Sequence, residues 1–330
     1  MALTLEEAKV GYADKVEQNV IDEFRRSSIL LDKLTFDDTI SPTGGSNLVY
    51  GYQRLETPST AAVRQINSEY SPNEAKRTKC TASPVILGGS FQIDRVIAQT
   101  SGAINEMDFQ IKEKTKAGAN YFHNLVINGT SASTGTGYVP NTFDGLKKIL
   151  SGKSTEMKTD IDISTSALLD SNYNALLDEL DTFIALLAAK PDVLMMNSKM
   201  LTKVKSAARR AGYYDRNKDD FGRTVETYNG IILMDAGQYY NGSTTEDVVS
   251  TSTPGSDTYG TTDIYAAKLG LDAFHGISVD GSKMLKTYLP DLQAPGAVKT
   301  GEVELIAGAV LKNSKMAGVL KGIKLLGKTA

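Results

Sequence analysis

Ser151-Gly152-Lys153-Ser154-Thr155 carries the side chains of a phosphate-binding loop: a glycine, a lysine to meet phosphate charge and a hydroxyl for Mg²⁺. The register excludes that chemistry. Such a loop needs a glycine five positions before Gly152, but Lys147 stands there and Gly145 is out of step. A predicted helix, not a strand, also precedes it. Gly135-Thr136-Gly137 is too short for a dinucleotide fingerprint and reads as a loop. His123 and His275 have no partner at metal-ligand spacing, so both read as structural. Cys80 is the one cysteine, a lone thiol beside Lys79, which excludes an internal disulfide and fits a reducing compartment.

Asp178, Glu179 and Asp181 cluster on a predicted helix, where grouped carboxylates read as a solvated face. Asn128-Gly129-Thr130 matches a glycosylation sequon, which carries no meaning without a secretory route. Lys199, Lys203, Lys205, Arg209 and Arg210 make a basic helix whose aromatics, Tyr213 and Tyr214, follow it instead of interleaving. Such a helix meets phosphates, an acidic subunit or water; sequence-specific nucleic-acid reading has no support. These residues give no enzyme, no cofactor site and no metal site.

The elements that carry them are more informative. Ile104, Met107, Ile111, Gly118, Phe122 and Leu125 share one helical stripe, with Thr115 its polar position, and predict a helix from about 104 to 127. At 1.5 Å per residue it would be roughly 36 Å long. Asn128-Gly129-Thr130 is expected to stop it, because Asn and Gly tolerate the left-handed conformation. Ahead of this rod, residues 4–30 read as an amphipathic helix with Thr4 and Glu7 as a capping box. Leu5, Ala8, Tyr12, Val16, Val20 and Phe24 form its apolar stripe, which must pack on another part of the fold or another subunit. A linker, Thr39 to Ser46, follows. Residues 47–99 predict two outer strands, around Leu48-Tyr52 and Phe91-Ile97, enclosing a polar tip with Lys76, Arg77 and Lys79: a long protruding β-hairpin. A hairpin alone is marginal in water, so one of this length should rest on a neighbour.

Beyond the rod lies an α/β alternation: a helix over 172–189 closed by Pro191, a strand at Val193-Met196, and a helix capped by Ser198 with Gly212 at its end. Tyr228-Asn229-Gly230 turns into the strand Ile231-Met234. Residues 241–262 read as a mobile surface loop. Strands resume at Ile264-Ala267, Met284-Leu285 and Val303-Leu311, ending in a Gly/Lys tail, and this part is expected to return under the rod.

The 330 residues, 41% hydrophobic and 23% charged, suffice for two or three modules. No window approaches eighteen consecutive apolar residues, so no membrane span is expected. The N-terminus lacks the basic and apolar regions of a signal peptide. The net charge of −3 is segregated: acids outnumber bases from Met1 to Gly45, while the chain beyond Lys299 is lysine-rich. Opposite-sign ends suit head-to-tail association of copies.

In their order, these parts resemble the major capsid proteins of tailed bacteriophages, with the α+β Hong Kong 97-type capsid fold. The stretch from Asn124 through Asn128-Gly129-Thr130, a Gly/Thr/Ser loop, Pro140 and Asp144-Gly145-Leu146 is similar to the family's helix-ending signature. Pro191-Asp192-Val193-Leu194-Met195-Met196-Asn197, the basic helix, Gly212-Tyr213-Tyr214 and Tyr228-Asn229-Gly230-Ile231 are similar to its central-domain pattern.

The resemblance implies an N-arm at 1–46, an extended loop at 47–95, a peripheral domain from 96–160 with 276–330 whose rod is the spine helix, and an axial domain at 161–275. It implies a structural protein that self-assembles as pentamers and hexamers into the icosahedral shell enclosing phage double-stranded DNA, in a virion assembled in the host bacterial cytoplasm and matured on packaging. Implied partners are further copies, a separate scaffolding protein, a portal and non-specifically held DNA. Candidate assembly residues are Lys76, Arg77, Lys79, Asn128, Gly129, Gly145, Leu146, Arg209 and Arg210. No motif marks Lys76 or Lys79 for the Lys–Asn crosslink of some members. An encapsulin-type nanocompartment shell, which shares the fold, is the alternative.

Overall fold

A computed structural model describes residues 30–39, 49–99, 106–131, 142–212, 215–218, 224–279 and 285–328. The expected arm helix at 4–30 lies almost wholly outside them, as do Ile104, Gly135 to Gly137 and Pro140.

Two sheets organise the chain. The first is built on the long strand Val298–Leu311. Val85–Asp94 runs antiparallel along one edge of it, from Asp94 opposite Val298 to Val85 opposite Ala307. Its other edge is shared by Phe274–Ser278 and Leu285–Tyr288, and Phe36–Asp38 adds in parallel to Phe274–Ser278. Alternation sets the face: Val85, Leu87, Phe91 and Ile93 are buried while Ile86, Gly88, Ser90 and Gln92 are exposed. The helix Glu106–Asn128, here the spine, lies on the buried face. Its first half is half-buried and amphipathic, but Phe122 to Ile127 are buried all round. Thr115, the polar position on the stripe, turns its hydroxyl back onto the Ile111 carbonyl at 2.8 Å.

The second sheet has seven strands in the order Glu156–Lys158, Ala317–Leu326, Gly260–Ala267, Val193–Met196, Ile231–Asp235, Thr224–Tyr228 and Asp215–Lys218. It divides two cores. Val193 and Met195, with Tyr265 and Val319, join the core that holds Phe122 of the spine. Leu194 and Met196, with Ile264 and Leu320, join the helices Ser166–Ala185 and Ser198–Ala211 in the other. Val193-Leu194-Met195-Met196 is therefore an unbroken apolar run because both its faces are covered.

Several expectations are corrected. The return strand of the hairpin is Lys76–Ala82, paired with Tyr50–Thr57, and not the stretch around Phe91 to Ile97. Phe91 and Ile93 belong to the five-stranded sheet, where ten paired residues outweigh an isolated ribbon. The helix expected at 172–189 runs Ser166–Ala185, capped by Thr165, whose hydroxyl accepts from the Leu168 N–H. It ends well before Pro191. Asn197, not Ser198, caps the next helix, accepting the Met200 N–H at 2.8 Å, and Gly212 follows in the left-handed region at φ 77°.

Residues 241–262 are not a bare loop. Thr245–Asp247 pairs with Gln238–Tyr240, and Val248 and Val249 are buried. Nor does the whole C-terminal part return under the spine. Val298–Leu311 does, whereas the Gly/Lys stretch folds as Ala317–Leu326 inside the seven-stranded sheet. There it leaves Lys321 and Lys324 at the surface, paired with Glu156 at 2.9 Å and Asp160 at 2.7 Å.

Candidate functional site

The exit of the spine is where the motif residues meet. The helix is not stopped by a left-handed residue: neither Asn128 nor Gly129 has positive φ, and the Gly129 N–H still bonds the Leu125 carbonyl at 2.8 Å. The chain leaves because the Asp144-Gly145-Leu146 segment crosses the helix end in contact with its backbone. The Gly145 N–H donates to the Gly129 carbonyl at 2.8 Å. A Cβ on Gly129 would lie 2.4 Å from the carbonyl oxygens of Leu125 and Phe143, and one on Gly145 would lie 2.6 Å from those of Ile127 and Leu125. Both glycines are thus dictated by backbone approach. Gly145 itself is extended at φ −84°, ψ 170°, where any residue is comfortable.

Side chains fasten the crossing. Asn128 Nδ2 donates to Asn124 Oδ1 at 2.8 Å and to the Val248 carbonyl at 2.7 Å, tying the spine to the Thr245–Asp247 hairpin. Leu146 is fully buried with Phe143 and Phe122, whose rings lie 5.8 Å apart. Asp144 Oδ1 accepts from the Ser131 N–H at 2.7 Å and its hydroxyl at 2.6 Å, and pairs with Lys148 Nζ at 2.8 Å. Lys148 also reaches the Ser131 carbonyl at 2.9 Å, and the Thr142 hydroxyl bonds the Thr130 carbonyl. Burial opposes ionisation of Asp144, but the lysine and serine bonds outweigh it and hold its carboxyl below the usual range. Ser131 and Lys148 are not among the residues singled out from the sequence, and Asp144 stands there only as part of the Asp144-Gly145-Leu146 signature. The four-residue spacing of Asp144 and Lys148 was the available signal.

The hairpin is the second element. Tyr50 at its foot donates to Asp37 Oδ2 at 2.6 Å and stands edge-on to the His275 ring at 5.7 Å. Arg54 reaches the carbonyls of Lys312 and Leu311, both at 2.9 Å, and hinges the ribbon on the end of Val298–Leu311. Beyond that point the ribbon touches little. Lys76, Arg77 and Lys79 are exposed on the return strand, and at the tip Val63 is 99% and Ile66 90% exposed. Apolar side chains held so fully in water mark a contact surface.

Arg209 and Arg210 end the basic helix, on the far side of the seven-stranded sheet. Arg210 pairs with Asp170 at 2.6 Å and with the Ser206 hydroxyl, and Lys205 pairs with Glu226, so part of this charge is spent within the subunit. The structure does not bring these arginines or the hairpin cations into the spine clasp. His123 and His275 are both buried. Burial pushes the His123 pKa down to about 4 and that of His275 down as well, the latter with help from nearby Lys312. Asp181 accepts a bond from the Tyr228 hydroxyl at 2.9 Å, which ties the acidic helix to the sheet. Among the described residues no His, Cys, Asp and Glu group could hold a metal ion, and no helix is long and apolar enough to cross a membrane. Gly152 lies in a turn at φ 72°, ahead of a three-residue edge strand rather than a helix, so no phosphate cradle forms.

The fold as a whole is shared with solved shells. The chain is similar over 100% of its length, and 99% of the other's, to the holo-SrpI encapsulin complex of Synechococcus elongatus PCC 7942, at TM-score 0.69 and 11% identity. It is similar to the capsid of a native GTA particle (TM-score 0.60, 12% identity, 96% of this chain and 97% of that one). It is also similar to the capsid of Myoviridae phage XM1 (TM-score 0.57, 12% identity, 98% and 99%). This is the Hong Kong 97-type shell fold. No curated protein matches the sequence. A family model described as SU10 major capsid protein matches residues 74–232, from the hairpin's return strand through the spine to the central sheet. Residues 74–232 thus match a phage major capsid protein family, and the shell fold runs through the whole chain.

Proposed function

We propose that copies of this chain close as pentamers and hexamers into an icosahedral shell around phage double-stranded DNA, assembled in the host bacterial cytoplasm. The observation that carries the reading is the hairpin: a ribbon fastened at its foot by Arg54 and Tyr50 whose apolar tip buries nothing in its own subunit. A neighbour's surface is the natural cover, and many such modest contacts add into a cooperative lattice. The spine helix and the sheet built on Val298–Leu311 serve as the peripheral domain, and the seven-stranded sheet with its helices as the axial one, in place of the division at 160/161 and 275/276 that the sequence suggested. Lys76, Arg77, Lys79, Arg209 and Arg210 set register between copies; Asn128, Gly129, Gly145 and Leu146 keep the spine rigid under the load.

The role is mechanical, not catalytic. DNA contact is sequence-independent and weak, since a net acidic protein gains little by adhering to the polymer it encloses. A separate scaffolding protein and a portal complete the assembly. Electron microscopy of the purified protein tests the reading: closed particles are expected, and a small soluble oligomer at assembly concentrations refutes it. Ile111→Pro, which breaks the half-buried first half of the spine, should abolish particles.

The similarity to the SrpI encapsulin complex favours a second reading, a shell enclosing protein cargo. Nucleic acid inside native particles, with no co-purifying enzyme, supports the first; a protein cargo with no DNA supports the second.

A further inference from the structure

The two helices on the far face of the seven-stranded sheet carry opposite charge. Ser166–Ala185 holds Asp170, Asp178, Glu179 and Asp181 and no basic residue, whereas Ser198–Ala211 holds Lys199, Lys203, Lys205, Arg209 and Arg210 and no acidic one. They pack against each other over one core, with Leu176, Leu180, Met200 and Val204 buried beneath them. Asp170, Asn174, Asp178 and Asp181 are exposed and recur every three or four residues, so they form one acidic ridge. Lys199, Lys203 and Arg210, four and seven residues apart, form a basic ridge beside it. Pairing within the subunit occupies only part of this charge. Arg210 meets Asp170 at 2.6 Å, Lys205 turns to Glu226, and Asp181 accepts the Tyr228 hydroxyl. Among the described residues, Asp178, Lys199 and Lys203 have no ionic partner.

We propose that these ridges join copies of the chain into rings, the Asp178 ridge of one subunit packing against the Lys199 and Lys203 ridge of the next. The inference rests on the shell reading above and names the contact that runs around each pentamer and hexamer. Charge complementarity selects a second copy as the partner. A polyanion drawn to the basic ridge would also meet the acidic one, whereas another copy offers the complement of both. The two ridges are different surfaces, so the contact is heterologous. Each docked subunit leaves one unmatched ridge of each sign at the two ends, and the series of contacts closes as a ring. An exposed ion pair adds little by itself, so the ridges set partner and register, and repetition round the ring makes them count.

Reversing the two ridges in separate chains tests this. Lys199→Glu with Lys203→Glu makes one variant, and Asn174→Lys with Asp178→Lys makes the other. Each alone should lose at least about tenfold of its particles by electron microscopy, because like charges then face each other at every contact. Co-expressed, the two variants complement, with native and reversed contacts alternating round the ring. An even-membered ring allows that alternation and a five-membered ring does not. Hexamers, tubes or open sheets are therefore expected from the mixture in place of closed particles, and raised salt should dissociate them. Single reversals, Lys199→Glu and Asp178→Lys, give the same readout should a double variant fail to fold. Wild-type particle yield from either variant alone overturns the docking. So does a mixture of folded variants that restores no rings, which confines the pairing to the subunit. A mixture that closes as fully as the wild type also overturns it, since a two-fold contact pairs unlike variants without alternation. Wild-type rings that never close sink the shell reading and leave the docking standing, whereas closed wild-type shells indifferent to both reversals sink the docking alone.

Discussion

Gly145→Ala is the sharpest test of the spine exit. The added Cβ would sit 2.6 Å from the Ile127 and Leu125 carbonyl oxygens and 2.7 Å from the Gly129 nitrogen, all backbone atoms of the helix end. No side chain can swing aside to relieve the clash, so the two segments must separate. That separation stretches the 2.8 Å bond from the Gly145 N–H to the Gly129 carbonyl and loosens Leu146 in the core. Overpacking costs about 1–3 kcal/mol and a lost buried hydrogen bond about 1, so a destabilisation of about 2–4 kcal/mol is expected. Gly118→Ala is the internal control. It lies mid-spine with nothing within 4 Å of a Cβ, and alanine there should stabilise by up to about 1 kcal/mol. Urea unfolding of the two variants should move in opposite directions, and shell yield should fall only for Gly145→Ala. Equal or unchanged midpoints would refute the backbone-crossing account.

Three further outcomes are expected. Arg54→Ala removes both bonds to the Leu311 and Lys312 carbonyls and should cost about 2 kcal/mol, with faster limited proteolysis between residues 58 and 75; an unchanged cleavage rate would show that the hinge lies elsewhere. The pair Val63→Asp and Ile66→Asp should leave subunit unfolding within about 0.5 kcal/mol, because both side chains are already in water, yet abolish assembly. His123 has a folded pKa of about 4, below its unfolded value of 6.5, so the unfolded chain binds the extra proton first. Its contribution is intact above pH 6.5 and is lost as pH falls towards 4. His123→Gln should flatten that limb of the stability–pH curve, and a parallel curve would remove His123 as its cause.

The sequence alone determined the pieces whose signal is periodic or local. The spine stripe, the capped basic helix ending at Gly212, and the apolar run Val193 to Met196 follow from side-chain spacing and turn chemistry, which act over a few residues. The family-like order of Asn128-Gly129, Asp144-Gly145-Leu146 and Tyr228-Asn229-Gly230 was legible for the same reason. Partnership was not. Nothing local tells Phe91 and Ile93 to pair with Val298–Leu311 instead of the hairpin, since that choice is made by two hundred intervening residues of chain. Ala317–Leu326 reads as a tail because its lysines punctuate it, and only the neighbouring strands Gly260–Ala267 and Glu156–Lys158 make it a buried element. Gly129 and Gly145 show the division most clearly. Their presence is written in the sequence, where it suggests a helix stopped by backbone freedom. The tertiary structure assigns them another cause: two backbones cross at hydrogen-bonding distance there, and a single methyl group on either would hold them apart.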